Sequence, residues 1–163
     1  MKTLSEAFVH TLKDIYYAEG ALTKALPKMA SAAGNAELKA AFTHHLAETK
    51  QQVALLDQVF ASIKVKASGE KCDAIEGLIK EADGLMQEAS GAALDAMLIG
   101  AAQAVEHYEI ARYGTLREWA KDLGHTQAHD LLSQILDQEK AANAKLTGLA
   151  VQAVNGGKAR KAA

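Results

Sequence analysis

Proline and cysteine occur once each, aromatic residues make up only 5 % of the chain, and neither sign of charge dominates. Each scarcity excludes something. With so few aromatic residues and one proline, an Ala- and Leu-rich chain favours helix over sheet. The single cysteine, Cys72, has no partner for an internal disulfide, which fits a reducing cytoplasmic setting. A net charge of -2 and a pI near 6.3 supply no global field for nucleic acid or a membrane surface. Long apolar runs are also missing. The longest, Ala92 to Val105, is interrupted by Asp95 and Gln103 and is too short to span a bilayer. Met1-Lys2-Thr3 leads straight into a charged helical pattern, so no secretory h-region is expected. No tandem repeat of solenoid length is found.

What is present is helical periodicity. Hydrophobic residues make up 49 % of the 163 positions, enough for a sizeable core. Thr3-Leu4-Ser5-Glu6 has the form of a capping box, followed by an apolar stripe through Phe8, Leu12, Ile15, Leu22 and Leu26. Gly20 and Pro27 are sites where this first helix could bend, Gly34 is a candidate stop, and Asn35 a candidate N-cap. A second helix is expected from about 36 to 63, with Leu38, Ala41, His45, Glu48, Gln52, Leu55 and Val59 on its seam. Residues 64–71 read as a loop, and Asp73-Ala74-Ile75-Glu76 as the capping box of a short connecting helix. A third long helix should span about 90–121, and a fourth should run from His125 or Thr126 to Asn155-Gly156-Gly157. Burying four such faces predicts an all-α four-helix bundle over 1–157, with one long crossover carrying the short fifth helix. Residues 158–163 read as a basic disordered tail.

Every long helix breaks its apolar seam with carboxylate. Glu19 does so in the first helix, Glu48 in the second, Glu106 and Glu109 in the third, and Glu139 in the fourth. Residues three apart share a helix face, so Glu106 and Glu109 point the same way. Five carboxylates converging in a dry core would repel one another and bind protons tightly. Two divalent or trivalent metal ions would remove that repulsion, and carboxylate oxygens suit iron or manganese. Without metal, Glu106 and Glu109 could instead form a buried network with Arg112, and Glu19 could reach the surface if the first helix bends. His45 could be a core histidine hydrogen-bonded to a carboxylate. His10, His44, His107, His125 and His129 lie off the seams and read as surface or packing residues.

The strings Asp14-Ile15-Tyr16-Tyr17-Ala18-Glu19, His44-His45-Leu46-Ala47-Glu48-Thr49, Val105-Glu106-His107-Tyr108-Glu109 and Glu139-Lys140-Ala141-Ala142 resemble the ferritin-like superfamily. Within it the chain is most similar to the bacterial YciE/YciF stress-associated family. The resemblance implies a ferritin-like bundle whose Glu19, Glu48, Glu106, Glu109 and Glu139 hold two iron (or manganese) ions. His45 is a further ligand candidate, and Gln52 would stand behind the ligands. Peroxide or dioxygen would be the small-molecule substrate, and a homodimer the assembly. The common superfamily pattern places Glu-x-x-His on the second and fourth helices; here Gln51 follows Glu48 and Ala142 follows Glu139. Glu106-x-x-Glu109 is similar to the rubrerythrin-like variant. The resemblance therefore implies a peroxidase- or ferroxidase-like centre, with a non-enzymatic stress protein bearing a structural or vestigial metal site as the alternative.

Overall fold

The computed structural model describes residues 1–154. The expected stop at 155–157 and the basic tail at 158–163 lie outside the described residues. Among the described residues the chain is all-helical: α1 (Leu4–Ala32), α2 (Ala36–Ser62), α3 (Asp73–Glu88), α4 (Gly91–Asp122) and α5 (Thr126–Leu149), with a π-helical segment at Ala150–Val154. No helix among them is long and apolar enough to cross a membrane.

Local signals set the helix ends. Thr3 and Glu6 form the reciprocal capping box, satisfying two backbone N–H groups that the first turn would leave orphaned. Asn35 Oδ1 accepts from the backbone N–H of Glu37 and Leu38 and starts α2. Gly124 has φ +74, a left-handed conformation that stops α4 and favours glycine. As expected, α1 stops just before Gly34, which follows the C-cap residue Ala33; the glycine does not have a positive φ, and its N–H donates to buried Asp95 Oδ1 at 2.8 Å. One expectation is corrected: Asp73 is not the cap of the connecting helix but its first residue. The Cys72 thiol caps it, accepting from the Ile75 N–H, and Glu76 accepts from the Tyr17 hydroxyl at 2.7 Å.

The α1/α2 and α4/α5 connections are short, so each pair is an antiparallel hairpin. Helix α1 packs on α2 and α4, and α5 packs on α2 and α4, which closes a four-helix ring. The crossover from α2 to α4 runs over the outside of α1. Its Glu70 N–H donates to Lys13 O at 3.1 Å, and Gly69 lies against Tyr17, where an added Cβ would come within 3.2 Å of Tyr17 Cβ. Helix α3 then covers the α1/α4 seam. Phe8, Leu12 and Ile15 of α1 fill one half of the core with Leu56, Leu116 and Leu132. Helix α1 is continuous through Gly20 and Pro27. That continuity keeps Glu19 on the inward stripe and removes the surface reading of this residue.

Candidate metal centre

Four acids and one histidine lie at mid-height inside the ring. Glu19, Glu106, Glu109 and Glu139 have relative exposures of 0, 2, 1 and 0 %, and His45 has 8 %. No lysine or arginine pairs with any of them among the described salt bridges, so ordinary ion pairing does not explain their burial. One ligand atom from each of His45, Glu106, Glu109 and Glu139 lies within 4.8 Å of the others. Glu106 and Glu109 share the inward face of α4. Tyr113 and Leu116 continue that face, and both are fully buried.

Neighbouring side chains fix the acids only in part. His45 Nε2 is 3.2 Å from Glu106 Oε1. Gln52 Nε2 donates to Glu139 Oε1 at 2.6 Å. The Tyr113 hydroxyl donates to Glu19 Oε1. Left without a hydrogen-bond partner are Glu19 Oε2, Glu106 Oε2, both carboxylate oxygens of Glu109, Glu139 Oε2 and His45 Nδ1. So many buried, unpartnered acceptors in one place would each cost about 1–3 kcal/mol if nothing satisfied them. Protons or a cation must do so.

Electrostatics agree. Burial pushes the Glu106 carboxyl up to about 7, with the charges of Glu19 and Glu48 adding to the shift. Burial raises Glu19, Glu109 and Glu139 well above the usual carboxylate range, and repulsion from neighbouring carboxylates adds to it: Glu139 acts on Glu19 and Glu109, and Glu106 and Glu48 act on Glu139. Burial also lowers His45, favouring the neutral imidazole that a metal requires. A hard carboxylate set with one neutral imidazole has the donor chemistry of an iron or manganese site, and the unpartnered oxygens fit such an ion.

A family profile described as a domain of unknown function, DUF892, matches residues 3–159. The chain belongs to the DUF892 family. Protein YciF of Escherichia coli (strain K12) is 48 % identical over 157 residues, 95 % of either chain. The crystal structure of the E. coli stress protein YciF matches with TM-score 0.92 at 47 % identity, covering 96 % of this chain and 99 % of that one. YcfI of Rhodopseudomonas palustris, to which a structural role has been ascribed, matches with TM-score 0.88 at 52 % identity, covering 90 % and 94 %. A Xanthomonas campestris protein at 22 % identity and TM-score 0.76 shares the fold. This DUF892 chain is thus a homologue of the YciF stress protein.

The candidate residues from the sequence fall into three positions in this DUF892 bundle. His45, Glu106, Glu109 and Glu139 meet. Glu19 stands beside them, tied to Tyr113. Glu48 does not reach the interior; its side chain is 28 % exposed, 3.0 Å from His44 Nδ1 and 3.9 Å from His45 Nδ1. The α2 seam follows i, i+4, i+7 spacing through His45, Thr49 and Gln52, so the buried position is Thr49, and Glu48 is rotated to the rim. Arg112 offers no counter-charge to Glu106 or Glu109. It faces Asp14 Oδ2 at 3.7 Å and lies over the Tyr108 ring, 5.1 Å from its centroid. His44 is exposed, as its place off the seam implies, and its i, i+4 spacing brings it to Glu48 at the rim.

Proposed function

We propose that this DUF892 protein is a ferritin-like di-iron (or di-manganese) carboxylate protein that handles peroxide or dioxygen in a stress response. The observation carrying the reading is the set of unpartnered oxygens on Glu106, Glu109 and Glu139 facing His45. His45, Glu106, Glu109 and Glu139 would hold metal, with Glu19 and Glu48 flanking them as candidates for a second ion. Such a centre supplies redox chemistry toward peroxide or dioxygen. The chain's own residues prepare it. Burial keeps bulk water from the carboxylates, Gln52 orients Glu139, and Tyr113 orients Glu19. Protons held by the metal-free cluster would leave on loading, so titrating metal into weakly buffered protein near pH 6.5 should release acid.

Homology to the YciF stress protein supports the stress assignment. A cytoplasmic homodimer belongs to the same proposal, resting on the lone cysteine and the Ala- and Leu-rich helical faces. A light-scattering mass of one chain would remove the dimer.

A second reading is a non-enzymatic stress protein whose metal is structural. The structural role ascribed to YcfI and the absence of Glu-x-x-His favour it. Peroxide-consumption and ferroxidase assays on metal-loaded protein separate the two. Turnover that disappears in Glu106→Ala supports the redox centre; a loaded, stabilised but inert protein supports the structural one.

A further inference from the structure

The α2/α5 seam is closed on one side of the cluster and open on the other. Below the acids, Gln52 Nε2 bridges to Glu139 Oε1 at 2.6 Å and to Gln138 Oε1 at 3.2 Å, tying the helices together. Toward the start of α2 lies a cavity of about 30 Å³. One water needs at least ~10–15 Å³, so the space takes one or two. His45 and Glu106 form its floor, and His44, Glu48 and Lys145 surround its mouth. The His44 side chain is 60 % exposed and that of Glu106 only 2 %, so the cavity leads from solvent to the buried acids. Its bore exists because Ala41, Ala102 and Ala142, one from each of α2, α4 and α5, carry no atoms beyond Cβ.

We propose that this cavity is the portal through which a divalent metal ion reaches the Glu106 cluster, and that Ala142 sets its bore. The inference rests on the metal-centre reading above. A hydrated ion is wider than the passage and must shed water to enter. Glu48, at the mouth, offers the first carboxylate to replace that water. His45 Nδ1 has no hydrogen-bond partner, and Glu106 Oε2 is likewise free, so both are available next along the path. Lys145 overhangs the opening from α5, where its charge slows cation arrival.

The test is the rate of cobalt(II) loading, followed by its visible absorption, together with metal content at equilibrium. Ala142→Phe should load about tenfold more slowly and reach the same final content. Ala142→Leu, a smaller plug, should slow loading less and serves if the phenylalanine variant does not fold. Lys145→Ala should load faster. Lys24→Phe, which puts the same aromatic ring in the open groove between α1 and α3, should leave the rate unchanged. Wild-type rates in both Ala142 variants, or equal slowing in Lys24→Phe, would overturn the portal. Wild-type protein that binds no cobalt would remove the metal reading itself, and the portal with it.

Discussion

Glu106 ties the chemistry of the cluster to a measurable pH dependence. Its carboxyl rises from the ordinary 4.5 to about 7 in the folded chain. Between those values the native state holds a proton that the unfolded state has released, so stability falls as pH rises. The contribution is intact below about pH 4.5 and lost above about 7, a difference of roughly 3 kcal/mol. Glu19, Glu109 and Glu139 shift in the same direction. Metal-free protein should therefore melt at a lower temperature at pH 8 than at pH 5, and added manganese should restore the loss at pH 8. A flat melting profile would contradict the burial of ionisable acids. Glu109→Gln replaces an unpartnered carboxylate by a neutral amide of the same shape. In chelator at pH 8 it should gain about 1–3 kcal/mol while losing the response to metal. Tyr113→Phe removes the donor to Glu19 and should cost about 1–3 kcal/mol by thermal or urea melting.

Helix α4 was the most legible element. Ile99, Ala102, Glu106, Glu109, Tyr113 and Leu116 follow one another at 3/4 spacing along it, and all six are buried. Its two acids three residues apart mark the inward face, and Ile99, Ala102, Tyr113 and Leu116 continue it at helical spacing. Helix α2 was read less well. Its apolar residues Leu38, Phe42, Leu56 and Val59 fit two adjacent stripes, and hydrophobicity alone does not choose between Glu48 and Thr49 as the inward residue. Packing against α5 decides it, and the Thr49 hydroxyl is satisfied within its own helix by His45 O at 2.9 Å. The Cys72 cap was missed because a thiol is a weak acceptor and rarely caps. The contact from α4 to the α1/α2 turn, Asp95 to the Gly34 N–H, joins residues far apart in sequence and left no local signal. Asp95→Ala should cost about 2 kcal/mol, read by urea denaturation, with metal content unchanged because the contact lies at the far end of the bundle.

At the scale of the whole molecule, composition and periodicity were enough for an all-helical chain with a crossover, since four long amphipathic faces have few ways to bury one another. The site was legible as misplaced acids, because Glu19, Glu106, Glu109 and Glu139 each occupy a position where a hydrophobe would otherwise sit. What the acids do together depends on where the ring of helices brings their oxygens, and that is a tertiary fact. The fold tolerates them only as protonated acids or as ligands. The direct test is metal content. Protein incubated anaerobically with ferrous iron or manganese, freed of excess by gel filtration, should retain about two ions per chain, as carboxylate bundles of this kind do. Glu106→Ala and Glu139→Ala should lose them. Protein that retains no metal, or variants that retain as much as the wild type, would contradict the account.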